Sequence, residues 1–148
     1  MDTHPGFLRD ALVRPDRAND LEEMVRSLFA RRHLRTLGNS QEKMWMVAEF
    51  VQRMRGWSVA FQGLSTKMEG PIPFGLGHCT IKDGRLVAVA NPIPMHHPEA
   101  FARVVSEFVQ PGALCGVEAT DSSAAYGWRL TAVDAIEPLE DDKVATLS

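Results

Sequence analysis

The feature that most constrains the fold is the dipeptide Asp83-Gly84, which lies between two strand-like runs, 78–82 and 85–90. A two-residue Asp-Gly loop favours a type I′ turn, because both central residues of that turn need positive φ angles. The sequence therefore predicts an antiparallel hairpin whose register is fixed by the turn. The predicted cross-strand pairs are Ile81/Leu86 and Cys79/Ala88 on the apolar face, with Lys82/Arg85, Thr80/Val87 and His78/Val89 on the other.

Three amphipathic segments predict helices. In the first, predicted over 19–36, apolar residues recur at the spacing of one helical face. The second follows the capping-box pattern Asn39-Ser40-Gln41-Glu42. The third begins at Pro98, because proline suits the first helical position. The apolar stripe of the first helix is Leu21, Met24, Val25, Leu28 and Phe29, and that of the third is Phe101, Val104, Val105, Phe108 and Val109.

The second and third helices suggest an internal repeat. The segments Glu49-Phe50-Val51-Gln52 and Glu107-Phe108-Val109-Gln110 are similar, at an offset of 107 − 49 = 58 residues. A strand-like run follows each helix, at 57–62 in the first case and at 114–120 and 126–134 in the second. Two amphipathic helices followed by strands also match by chance, so a duplication and a coincidence both remain open.

These elements predict an α+β fold. We expect two tandem αββ units, 40–90 and 98–136, to form an antiparallel sheet with helices packed on one face. The first helix is an N-terminal addition to this sheet. One domain is predicted over 19–136, and the acidic tail 137–148 is expected to be frayed.

A flexible lead-in is predicted over 1–18, because Pro5, Gly6 and Pro15 interrupt any regular pattern.

The composition limits the class of protein. With 148 residues, 45% of them hydrophobic, the chain can bury a core without a disulfide or a metal ion. The net charge of −3 disfavours nucleic acid as a partner, since proteins that bind phosphates are usually basic. The sequence shows no secretory signal and no apolar run of membrane-spanning length. We therefore expect a cytoplasmic protein that does not associate with a membrane.

Two proline-rich connections, 63–77 and 91–97, are the predicted functional segments. Long loops on a rigid scaffold often carry binding residues. We expect them to form a surface for a protein partner or a small molecule, with aromatic side chains as anchors. The candidate binding residues are Trp57, Pro71, Pro73, Phe74, His78, His96, His97, Tyr126 and Trp128.

The sequence assigns no catalytic residue, no metal ligand and no cofactor. Its histidines lack the usual zinc-binding spacings. Cys79 follows His78 directly, so the two side chains point to opposite faces of the predicted strand and cannot form a dyad. Cys79 and Cys115 both lie in apolar stretches, which predicts two buried thiols.

The prediction is therefore a non-enzymatic binding module, such as an accessory subunit, an inhibitor or a small-ligand-binding protein, and a homodimer. One alternative is a small enzyme that uses Cys79 or the loop histidines. Another is a nucleic-acid binder that uses the basic end of the first helix, with Arg31, Arg32 and Arg35, together with the second helix.

Overall fold

The computed structural model describes residues 4–30, 49, 52–59, 74–89, 91–95, 97–121 and 124–139. These residues form an α+β fold, as predicted. The described helices are α1 (Ala18–Ala30), α2 (described over 52–57) and α3 (Pro98–Val105), with 3-10 helices at Pro15–Arg17 and Phe74–His78. The strands are β1 (His4–Arg9), β2 (Cys79–Lys82), β3 (Arg85–Ala88), β4 (Ile93–Met95), β5 (Leu114–Val117), β6 (Tyr126–Ala132) and β7 (Ala135–Pro138).

Five of the strands form one antiparallel sheet in the order β4-β1-β5-β6-β7. β1, the first strand in the sequence, lies between β4 and β5 in this sheet. The prediction of a flexible lead-in over 1–18 was therefore wrong. Leu8 pairs with Cys115, and Cys115 pairs with Trp128, so these three side chains share the face that meets the core.

Pro5 and Gly6 do not break β1, for two separate reasons. The Pro5 carbonyl accepts a hydrogen bond from the Glu118 N–H at 2.8 Å, near the end of the sheet, where a missing donor costs little. Gly6 lies beneath the Met95 side chain, and a Cβ at Gly6 would collide with it. Both residues thus fit a strand at this place in the sheet.

The Asp83-Gly84 hairpin is confirmed in detail. Its four pairs have the predicted register, and both turn residues have positive φ angles, 53° for Asp83 and 75° for Gly84. The hairpin forms a separate two-stranded sheet instead of joining the larger one. Residues 11–13 attach it to the body, because Leu86 N–H donates to Ala11 O at 2.8 Å and Val13 N–H donates to Gly84 O at 2.9 Å.

The core lies between the sheet and the helices. Helix α1 buries Leu21, Met24 and Leu28 of its predicted stripe, while α3 buries five of its eight residues. Within the described residues, no helix is both long and apolar enough to cross a membrane. The largest fully buried side chains are Phe101, Phe108, Leu21, Met24, Leu28, Met54, Leu76, Ile93 and Met95.

The predicted repeat is not confirmed. The strand predicted over 57–62 was wrong for the described residues 57–59, because Trp57 ends a helical run and Val59 is also helical. Residues 60–62 lie outside the described part. Val59 is 64% exposed, whereas Val117, its counterpart at the 58-residue offset, is buried in β5. Residues 137 and 138, predicted as the start of the acidic tail, belong to β7, and residues 140–148 lie outside the described part.

One aromatic side chain lies on the face of the sheet opposite the core. Phe7, on β1, packs over Gly116 and Gly127, which face each other across β5 and β6. A Cβ at Gly127 would lie 2.6 Å from Cys115 O and 3.2 Å from Phe7 Cζ. The two glycines therefore make a shallow trough that the phenylalanine ring fills.

We expect Gly127→Ala to lower the free energy of unfolding by about 2 kcal/mol, because the added methyl group meets the backbone and displaces Phe7. Gly56→Ala is the matched control, since it lies in α2 and its Cβ would meet nothing within 4 Å. The control should leave stability unchanged or raise it by up to about 1 kcal/mol. Urea unfolding monitored by circular dichroism measures the stability of both variants. Equal changes in the free energy of unfolding would contradict the close packing of Phe7 over the two glycines.

Candidate functional site

The predicted binding residues divide into groups that the structure does not bring together. Pro71, Pro73 and His96 lie outside the described residues. Phe74 is the first residue of a 3-10 helix, and His78 is the last. The sequence therefore grouped residues that the fold distributes over different elements.

Tyr126 and Trp128 are the aromatic residues that the structure does place in contact. They lie on the same face of β6, with ring centroids 5.7 Å apart and ring planes at 89°. Trp128 packs against the core, while Tyr126 is 41% exposed. The pair forms an edge-to-face stack whose outer member faces solvent.

His97 is separated from this aromatic pair. It is the N-cap residue of α3 and follows β4, whereas Tyr126 begins β6. Two strands lie between β4 and β6, which corresponds to roughly 14 Å at the usual strand spacing. The exposed His97 and Tyr126 therefore do not form one pocket through the sheet.

The end of the 63–77 connection is packed inside the protein, which corrects the expectation that this whole segment is a surface loop. Gly75, Leu76 and Gly77 are buried. A Cβ at Gly77 would lie 2.8 Å from the Phe29 backbone nitrogen, and one at Gly75 would lie 3.0 Å from the Pro94 carbonyl oxygen. These glycines allow the 3-10 helix to fit closely between α1 and β4.

Exposed apolar side chains occur around the predicted binding residue His78. Val87 and Val89 lie on the outer face of the hairpin, and Phe29 belongs to α1, whose backbone lies beside Gly77. We call Phe29, His78, Val87 and Val89 the hairpin surface. Val89 is 71% exposed and donates its N–H to His78 O at 2.8 Å, so the two residues are neighbours just beyond the last strand pair, Cys79/Ala88. Phe29 is 48% exposed and lies beside Gly77, which directly precedes His78.

Phe29 was predicted to belong to the buried stripe of the first helix. Leu21, Met24 and Leu28 are indeed buried, but Phe29 is half exposed. Eight residues separate Phe29 from Leu21, so it lies roughly 80° around the helix from Leu21 and farther still from Met24 and Leu28. The helical spacing is therefore consistent with the exposure of Phe29, and the alternation of the strand is consistent with the exposure of Val89.

Both cysteines are buried, as the sequence predicted. Burial raises the pKa of the Cys79 thiol to about 12. Burial, and secondarily the nearby Cys79, raise the pKa of the Cys115 thiol as well. Thiols in this state are protonated near neutral pH and are poor nucleophiles.

A buried polar cluster, which the sequence did not reveal, joins α2 to the end of α3. Glu107 is only 1% exposed. It accepts a hydrogen bond from the Ser58 hydroxyl through Oε2 and another from Val59 N–H through Oε1, the latter at 2.7 Å. In the strand predicted over 57–62, the apolar Val59 would have shared the buried face with Trp57 and Ser58 would have faced outward, which is the reverse of the structure.

Glu107 points inward because the helix tightens before it. After Val105, the N–H groups of Glu107 and Phe108 donate to carbonyls three residues earlier, at 3.2 and 2.9 Å. This 3-10 geometry rotates the chain relative to an α-helix. The carboxylate is thereby aimed at Ser58 instead of solvent.

Arg17 holds the same cluster from the other side. Its Nη2 donates to Trp57 O at 2.7 Å, and its guanidinium carbon lies 4.6 Å from the Phe108 ring centroid. Trp57, predicted as a binding anchor, is half-buried and packs against the core. The cluster thus fixes residues 57–59 at the point where the chain enters the 60–73 segment.

Across the described ranges, no group of three or more His, Cys, Asp or Glu side chains is arranged to hold a metal ion.

We expect both thiols to resist a disulfide reagent in the native protein near neutral pH, and to react when the chain is unfolded in denaturant. The raised pKa of each thiol keeps the reactive thiolate scarce, and burial blocks access. Absorbance of the released aromatic thiolate measures the reaction. Rapid labelling of native Cys79, assigned with a Cys115→Ser variant, would contradict this.

We expect Glu107→Ala to lower the free energy of unfolding by about 2 kcal/mol, because the Ser58 hydroxyl and Val59 N–H lose their buried acceptor. Glu107→Gln keeps one acceptor oxygen and should lose less. The matched control is Glu99→Ala, which breaks an exposed pair with Arg103 at 3.5 Å and should cost about 0.5 kcal/mol or less. Denaturant titration of the three variants tests this order.

Comparison of the chain with protein-family models, with curated proteins and with solved structures yields no match. The functional proposal therefore depends on the geometry of the described residues.

Proposed function

We propose that this chain is a non-catalytic binding module that engages a protein partner through the hairpin surface. The observation that carries the proposal is the exposure of two apolar side chains around residues 77 and 78: Val89, which hydrogen-bonds to His78, and Phe29, whose backbone lies beside Gly77. Apolar side chains that lie together and face solvent are typical of protein interaction sites. His78, between them, is the predicted binding residue that this surface retains.

The hairpin supports such a role because its conformation is already fixed. The type I′ turn sets its register, and residues 11–13 attach β3 to the body through backbone hydrogen bonds. Its inward side chains, Cys79 and Leu86, are buried, so the outward ones are held in defined positions. A preorganised surface binds with less loss of conformational entropy than a loop that must order.

The enzymatic alternative through Cys79 is physically disfavoured. A nucleophilic cysteine needs an accessible thiolate, whereas this thiol is 3% exposed and its pKa is raised to about 12. Its sulfur lies 3.8 Å from Gly75 O, which provides no base to activate it. The buried thiol is better explained as part of the core.

Site-specific photocrosslinking in cells of the source organism tests the proposal. A benzophenone amino acid at position 89 should give discrete adducts with a partner protein, because that side chain points out of the hairpin surface. The matched control is position 133, an exposed valine in the turn between β6 and β7. We expect no equivalent adduct there.

The mass of the adduct distinguishes the kinds of partner. An adduct of two copies of this chain would identify the homodimer that we propose as one form of the interaction. An adduct of larger or smaller mass would identify a different protein. Absence of adducts from position 89, or the same adducts from position 133, would exclude the hairpin surface as the binding site.

A further inference from the structure

We infer that the partner of the hairpin surface presents an acidic segment with an apolar anchor. This inference rests on the function proposed above and names the chemistry of the partner. The outward face of the hairpin carries charged residues at its turn and an apolar residue at its other end. Lys82 and Arg85 flank the turn, and the apolar Val89 lies at the opposite end, roughly 13 Å away along the strand.

The pairing of Lys82 with Arg85 is the observation that points to an acidic ligand. These residues are directly opposite each other across the hairpin, and both are exposed. Like charges at such a position destabilise a hairpin. Neither side chain forms an ion pair within the part of the chain that the structure describes.

The charge at this end of the hairpin is positive despite the acidic turn residue. Within the hairpin, residues 79–88, Lys82 and Arg85 outnumber Asp83, which is the one acidic residue. The chain as a whole is acidic, with a net charge of −3. The hairpin tip is thus a local positive region on a negative protein, and it is complementary to carboxylates.

The apolar end of the surface favours a protein segment over a nucleic acid. Val89, its most exposed member, is aliphatic and 71% exposed, and Phe29 is the one large aromatic ring there, whereas single-stranded nucleic acid is usually held by several stacking rings along a basic groove. An aromatic or aliphatic anchor would cover Val89 and Phe29, while neighbouring carboxylates would contact Lys82 and Arg85. Burial of the anchor would contribute affinity, and the charges would contribute orientation and association rate.

The test uses three fluorescently labelled probes at low salt: a random copolymer of glutamate and tyrosine, poly-glutamate, and single-stranded oligo-deoxythymidine. Anisotropy titration should show saturable binding of the copolymer and weaker binding of poly-glutamate. The double variant Lys82→Glu/Arg85→Glu should weaken copolymer binding by about tenfold or more. Val89→Ser should remove the advantage of the copolymer over poly-glutamate.

Arg129→Glu is the matched control, because Arg129 is an exposed cation on β6, on the face of the sheet opposite the core. It should leave copolymer binding unchanged, and melting curves should show that all variants remain folded. Equal loss with Arg129→Glu, oligo-deoxythymidine binding that depends on Lys82 and Arg85, or no saturable copolymer binding would each overturn the inference. If the copolymer fails while position 89 still crosslinks to a protein, the partner is not acidic and the proposed function stands.

Discussion

The pairing of β1 with both β4 and β5 is the interaction on which the rest of the structure depends. It brings residues near the start of the chain between two strands that lie far along the sequence. The segment that follows β1 then ties the hairpin and the end of α3 together, because Leu12 O accepts from Gln110 N–H at 2.8 Å and Arg14 N–H donates to Phe108 O at 2.8 Å. β1 and the residues after it thereby connect the second sheet and the end of α3 to the five-stranded sheet.

The polar cluster around Glu107 has a different role from the apolar core. A buried carboxylate adds little net stability, because the hydrogen bonds it makes offset the loss of its hydration. Its two carboxylate oxygens, however, accept directional hydrogen bonds from the Ser58 hydroxyl and the Val59 N–H. The cluster therefore selects one arrangement of α2 against α3 where apolar packing alone would tolerate several.

The sequence predicted what is determined locally. The hairpin was correct in turn type and register, because two residues control both. The strand β1 was missed, because its glycine and proline are suited to neighbours that are distant in sequence, Met95 and Glu118. The predicted strand placed Ser58 on the wrong face for a related reason, since the burial of Ser58 depends on the carboxylate of Glu107, 49 residues away.

In the candidate site too, features determined by nearby residues could be predicted, and features determined by distant residues could not. Exposure of Val89 followed from the alternation of a well-defined hairpin, so the surface could be predicted in part. Trp57 and the buried end of the 63–77 connection looked like surface features, because a large aromatic and a glycine-rich run are common in binding loops. Both are held inside by tertiary contacts, through Arg17 in the first case and α1 in the second.

Val89 and the cross-strand cations Lys82 and Arg85 are exposed on the outer face of the hairpin. Exposed valine and a cross-strand pair of cations each oppose the stability of an isolated hairpin. The fold compensates through the turn and through residues 11–13, which hold the hairpin by backbone hydrogen bonds without using its outer face. A surface that is held rigid by its inner side and left unfavourable on its outer side is suited to binding, because a partner can satisfy both the apolar and the charged groups at once.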